Sequence, residues 1–387
     1  MLISASHKLN DISEYYFSRK LEQIKTMNSE GKKVINLGIG SPDLTPSFST
    51  IEAMKKALET SSNHGYSTHR ALPELRNAII NWYEKTYAVK INDINEILPL
   101  LGSKEGIFYI ANAFLNENDI ALVPNPGYPT YAISTKLAGA KVKYYDLVEK
   151  NGWYPDFNAL SNMDLTNVKI MWVNYPNMPT GAVATANLLQ DLVEFGAKHK
   201  ILICHDNPYS MILNKNRPLS ILQFDPKMEY SLELNSFSKN FNMAGWRIGI
   251  LVAEKEIVNT VLKVKSNVDS GMFLPLQWGA IAATKNSDEW HKQRNGVYAE
   301  RREWIYKIFD KLNLIYPKYE QEGLFVWARV PDSIENVESF IDNLLEKSHV
   351  FFAPGFIFGS NGERYIRSSL CQPVEIIKEA LLRIGNS

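Results

Sequence analysis

Cysteine is scarce, with Cys204 and Cys371 the two in 387 residues. One bridge at most is available, so a disulfide scaffold is excluded, and two reduced thiols are the expectation. Neither charge sign is in surplus, with 42 Lys and Arg against 42 Asp and Glu. That balance gives no electrostatic reason for nucleic acid or an anionic membrane as partner. No apolar run approaches the roughly 20 residues of a membrane span. The start of the chain lacks the basic and apolar segments of a signal peptide, so a cytoplasmic location is expected. The 18 Pro and 21 Gly are dispersed, leaving no linker, and there is no internal repeat. What remains is a globular chain, 45% hydrophobic, long enough for one large domain or two moderate ones.

Short apolar runs alternate with helical patterns, which predicts an α/β fold with a mostly parallel sheet flanked by helices. Strands are predicted over residues 97–100, 120–123, 141–145, 170–173, 201–205, 231–234 and 248–252. In the helical pattern of 188–199, Leu188, Leu189, Leu192, Val193 and Phe195 lie close to one face. Beyond Gly279 the texture changes. A long charged helix over 288–312, apolar segments at 324–328 and 365–370, and a helix over 337–348 read as a smaller α+β domain.

Lys239 carries the strongest chemical signal. It stands after a strand, in Ser236-Phe237-Ser238-Lys239, where burial of an ammonium is costly. A partly desolvated lysine loses its proton readily and forms Schiff bases with carbonyls. Arg247, eight residues on, offers a permanent forked cation suited to phosphate. An amine for an aldehyde beside a cation for a phosphate is what pyridoxal 5'-phosphate (PLP) requires. By itself Ser-x-Ser-Lys is a common surface turn. With Met243-Ala244-Gly245-Trp246-Arg247-Ile248-Gly249 attached, the segment resembles the PLP-lysine signature of the class I/II aminotransferases, of fold type I.

The resemblance implies a role for each of several loops. Asp206, an ordinary cap or turn residue if taken alone, is matched to the carboxylate that keeps the pyridine nitrogen protonated. Tyr209 is matched to the residue on the cofactor's phenolic oxygen. Gly102-Ser103-Lys104-Glu105-Gly106 opens a helix, whose first N–H groups suit a phosphate. Ser103 and Lys104 by backbone, Ser236 by hydroxyl and Arg247 by guanidinium are then the phosphate ligands. Tyr128, after Pro126-Gly127, is matched to the ring that stacks on the pyridine. Arg367 is matched to the clamp for the substrate α-carboxylate, with Gly40 allowing backbone approach to the same group. Tyr66 resembles the tyrosine that reaches the phosphate in the neighbouring subunit, which implies a homodimer with shared active sites. No metal is implied.

Two departures stand out. Ala71 replaces a frequent Gly. In Asn177-Met178-Pro179-Thr180-Gly181 a methionine stands where the family has asparagine directly before Pro-Thr-Gly. A thioether donates no hydrogen bond, so Tyr209 is expected to hold the phenolic oxygen, with Asn177 assisting if the loop shifts. Loss of a donor there is expected to raise the proton affinity of the Schiff base.

By resemblance the first 45 residues comprise an arm and part of the small domain. Residues 46–280 form the large PLP-binding domain and 281–387 the small C-terminal domain. The implied activity is ping-pong transfer of an amino group from an amino acid to a 2-oxo acid, with 2-oxoglutarate the expected acceptor. The segments 265–273 and 354–359 are similar to those of LL-diaminopimelate aminotransferases, and aspartate or an aromatic amino acid are further candidate donors. A C–S lyase or other eliminase on the same fold shares the anchor residues. A sensor domain of the kind fused to DNA-binding regulators is disfavoured, because the match begins by about Leu37 and no basic helix precedes it.

Overall fold

The computed structural model describes residues 3–10, 16–318 and 320–385. Its strands are β1 (Ile35–Asn36), β2 (Ile97–Leu100), β3 (Ile120–Asn125), β4 (Lys141–Asp146), β5 (Val168–Asn174) and β6 (Leu202–Asp206). They continue with β7 (Ser231–Ser236), β8 (Gly249–Val252), β9 (Phe325–Arg329), β10 (Val350–Phe351), β11 (Ala353–Pro354) and β12 (Tyr365–Ser369). Seven of them form one sheet in the order β2-β8-β7-β6-β5-β3-β4.

Neighbours in this sheet run parallel except at β8, which is antiparallel to both β2 and β7. The expectation of a mostly parallel sheet is met. Both faces are covered. Along β5, Ile170 and Trp172 face one apolar cluster, and Met171 and Val173 face the other. This is the two-residue alternation of a strand buried on both sides. The helices Ser103–Phe114 and Lys255–Lys265 pack Ile107, Ile110, Val258 and Val261 on the first face. The helices Pro73–Tyr87 and Ala186–His199 pack Leu75, Ile79, Leu188 and Leu192 on the second.

Two smaller sheets lie outside the seven-stranded sheet, and their apolar residues join the cluster on its second face. One is antiparallel, in the order β11-β12-β9. The other joins β1 to β10 in parallel, Ile35 opposite Val350. No helix among the described residues is long and apolar enough to cross a membrane.

Candidate active site

Strand direction places the site. The carboxyl ends of the parallel strands share one edge of the sheet, and at that edge the chain order reverses on either side of β3, a crevice where ligands bind. Asn174 ends β5, Asp206 ends β6 and Ser236 ends β7. Because β8 runs the other way, its start lies at the same edge, so Arg247 reaches the crevice from before a strand rather than after one. A cavity of about 430 Å³ occupies this edge. Ten predicted residues line it: Gly40, Ser103, Lys104, Tyr128, Asp206, Tyr209, Ser236, Lys239, Arg247 and Arg367.

One end of the cavity is suited to an anion. The helix Ser103–Phe114 starts at Gly102, whose φ of 105° favours glycine and whose side-chain cap is necessarily missing. The first N–H groups of the helix therefore have no local side-chain acceptor. A Cβ on Gly102 would collide with the Arg247 guanidinium, so glycine lets that cation pack over the turn. Arg247 Nη1 donates to Ser238 Oγ at 3.3 Å and to the Ala244 carbonyl at 2.9 Å. Ser236 Oγ accepts from the Ser238 N–H at 3.2 Å. Helix N-terminus, two serine hydroxyls and a forked cation line one part of the cavity, an arrangement suited to an anion.

Deeper in the cavity, Asp206 is buried. Its Oδ2 accepts from the Tyr131 hydroxyl at 2.8 Å, whereas Oδ1 has no hydrogen-bond partner among the described residues. Burial, partly offset by the Tyr131 bond, pushes its carboxyl up to about 6. A buried carboxylate with one open oxygen needs a cation. A protonated pyridine nitrogen supplies one, so the residues present suit PLP on the evidence of this orphaned atom. Tyr131 is itself stacked on Trp172, with centroids 5.1 Å apart and planes 7° from parallel. Tyr128 meets Tyr131 edge-on at 5.6 Å. Burial drives the Tyr209 hydroxyl upward, which keeps it a donor.

Lys239 Nζ donates to the Gly40 carbonyl at 2.8 Å. Burial lowers its ammonium to about 8, with Arg247 and Arg367 adding repulsion against an opposing pull from Cys371. Below pH 8 most of the amine carries its proton, and only the free amine attacks an aldehyde. Free amine rises from about one tenth at pH 7 to about nine tenths at pH 9 for a pKa near 8. Stopped-flow capture of PLP by the cofactor-free protein is therefore expected to accelerate with pH across this window and then level off. A rate flat from pH 7 to 9 contradicts it.

Arg367 lines the same cavity and is buried. Nη2 donates to the Gly38 carbonyl at 2.7 Å, and Nη1 lies 3.2 Å from the Met178 sulfur. Its guanidinium carbon sits 4.0 Å from the Phe325 ring centroid and 4.6 Å from that of Phe358. A Cβ on Gly40 would collide with Phe325, so the lack of a side chain there serves the packing of this ring.

Two predicted residues stand apart from the cavity. Asn177 is spent inside its own loop. Its amide donates to the Asn174 carbonyl at 3.2 Å and accepts from the Thr180 hydroxyl at 2.8 Å. Its side chain is engaged within its own loop, and it is not among the residues that line the cavity. Tyr66 is 92% exposed and is not among the residues that line its own chain's cavity.

The cavity also contains residues that sequence reasoning missed. Tyr131 lies in the first turn of the helix Thr130–Leu137, three residues after Tyr128, which precedes that helix. Asn174 sits opposite Asp206 in the sheet register, donates to the Asp206 carbonyl at 2.7 Å and accepts from the Met178 N–H at 2.7 Å. Ser238 lies beside Lys239 in the motif already singled out. Phe17 and Leu21 come from the helix Tyr16–Ser29, and no local signal ties that segment to the site.

The family model for aminotransferases of class I and II matches residues 32–384. The chain belongs to this family, and like its members it is a PLP-dependent aminotransferase. LL-diaminopimelate aminotransferase of Dehalococcoides mccartyi strain 195 is 40% identical over 384 residues, 98% of each chain. Transaminase BacF of Bacillus subtilis is 37% identical over 385 residues, 99% of this chain and 96% of that one. The substrate-bound BacF structure superposes with a TM-score of 0.93 over 100% of this chain and 98% of that one, at 37% identity. A mutant aspartate aminotransferase of Thermus thermophilus shares the fold, with a TM-score of 0.92 at 22% identity and 99% of each chain covered.

Proposed function

We propose that this site moves an amino group between an amino acid and a 2-oxo acid with Lys239 as the proton carrier. One observation carries the reading: the Lys239 amine, the open Asp206 oxygen and the Arg367 guanidinium line one cavity together with the anion-suited turn at Ser103 and Arg247. PLP, when bound, supplies the electron sink for the substrate's Cα–H electrons. Ser103, Lys104, Ser236 and Arg247 hold its phosphate, Tyr128 packs its ring and Tyr209 donates to its phenolic oxygen. Asp206 Oδ1 holds the proton on the ring nitrogen. Arg367 orients the substrate through its α-carboxylate. Lys239 Nζ would take the proton from Cα and, as general acid, return it to the cofactor's C4', across the shared nitrogen. Met178 leaves the phenolic oxygen with fewer donors, so the loaded site holds its proton more tightly than an asparagine there allows.

The remaining assignments are organisational. The chain divides into an arm and small domain (1–45 with 281–387) and a large domain (46–280). It works as a cytoplasmic homodimer in which Tyr66 completes the partner's site. The names of the relatives make LL-diaminopimelate a donor to include in any screen. The test is a single half-reaction. An amino acid added without acceptor is expected to shift the bound cofactor's absorbance stoichiometrically and release one 2-oxo acid per site. Continuous product release with an unchanged spectrum identifies an eliminase and overturns the reading.

A further inference from the structure

Resting on that reading, we infer that Asp43 and Arg301 are positioning residues for the carboxylate clamp. Their ion pair pins a strap of chain, Asn36 to Asp43, whose backbone carbonyls hold Arg367 and Lys239. The first end of the strap is fixed to the small sheets. The Leu37 N–H donates to the Phe351 carbonyl at 2.8 Å, and the Leu37 carbonyl accepts from the Ser369 N–H at 2.6 Å. Asn36 Oδ1 turns the chain there, accepting from the N–H groups of Gly38 at 3.0 Å and Ile39 at 3.1 Å. Between β1 and the helix Phe48–Leu58 the chain forms neither helix nor strand. Yet the Gly38 carbonyl accepts from Arg367 Nη2 at 2.7 Å, and the Gly40 carbonyl accepts from Lys239 Nζ at 2.8 Å. Irregular chain opens at little cost unless side chains tie it down.

Asp43 is the tie. Arg301 Nη1 donates to Asp43 Oδ1 at 2.6 Å and Nη2 to Oδ2 at 2.8 Å, a fork closed on a carboxylate. Arg301 stands on the helix Asp288–Lys311, and its side chain is 4% exposed, so water screens the pair little. The same Nη1 donates to the Leu370 carbonyl at 3.0 Å. Leu370 directly follows β12, the strand that carries Arg367. One guanidinium thus fixes the far end of the strap and the end of the clamp's own strand. It thereby sets the Gly38 carbonyl and Arg367 relative to each other. The fit is close, since a Cβ on Gly38 would collide with the Phe351 ring. A fork that grips a carboxylate at two points loses much of its hold on a small rotation. Past Asp43, Asn242 Nδ2 donates to the Thr45 carbonyl at 3.1 Å, so losing the ion pair slackens the strap without freeing it.

Half-reactions of the PLP-loaded enzyme test this. The donor is whichever of the standard amino acids or LL-diaminopimelate converts the unaltered enzyme fastest. Asp43→Asn keeps the shape and removes the charge, whereas Arg301→Lys keeps the charge and removes the fork. Each is expected to raise the donor concentration for half-maximal rate at least about tenfold, the scale of a displaced positioning group. The maximal rate should change less than about threefold, because ground and transition states share the carboxylate grip. PLP affinity should hold, since the phosphate ligands lie on other segments. The double variant should cost no more than the worse single one, as expected of one interaction. A pair that serves stability alone lowers the melting temperature and leaves the half-maximal concentration unchanged, which overturns the inference. Costs that multiply in the double variant also overturn it. Either result leaves the transaminase reading intact. If no amino acid converts the unaltered enzyme's cofactor, that reading falls and the inference with it.

Discussion

Lys239→Ala is expected to lower turnover by at least about 10⁴-fold, the upper range for a positioned proton carrier. Two functions vanish together: the covalent hold on the aldehyde and the shuttle at Cα. PLP should still bind, because Ser236, Arg247 and the helix start at Ser103 are untouched. Its spectrum should be that of a free aldehyde rather than of a Schiff base. The lysine's burial makes the fold tolerant of the change, since removing a desolvated amine relieves a cost. Measured kcat and the absorbance spectrum together decide the matter. Multiple turnovers at near-native rate would show that Lys239 is not the proton carrier.

Asp206→Ala is expected to lower kcat by about two to four orders of magnitude, from the ~3–5 kcal/mol that breaking a buried charge pair costs. The carboxylate faces the cavity with one open oxygen and is braced by Tyr131 on the other. That asymmetry indicates a group held ready for an external cation. PLP affinity should fall in the same variant. A cofactor methylated on the ring nitrogen carries its positive charge permanently, so it should restore part of the lost kcat. Absence of any rescue would assign the loss to structural damage instead.

The long central strands were legible because burial on both faces produces unbroken apolar runs, as in residues 170–173. The loops that follow them were legible because Gly, Pro, Asp and Ser cluster there for turn chemistry, and the site is assembled from those turns. The two-residue strands β1, β10 and β11 left no periodic trace, since alternation needs more than one repeat. The antiparallel sense of β8 was hidden for a different reason: an apolar run carries no direction. Phe17 and Leu21 could not be placed because their helix meets the site only in three dimensions. The fate of Asn177 was equally hidden, since it depends on which backbone groups of its own loop lack partners. Met178 was visible as a substitution, but its contact with Arg367 was not.

The pairing of β1 with β10 joins segments more than 300 residues apart. At ribosomal rates of about 5–20 residues per second, Ile35 waits from roughly a quarter of a minute to a minute for its partner to be made. During that interval Asp206 and Lys239 have emerged and the cofactor's anchors can assemble, but Arg367 has not yet been synthesised. A nascent chain is thus equipped to hold the aldehyde before it can grip a substrate. Arg367, proposed above as the carboxylate clamp, is the last of the described cavity-lining residues to be made.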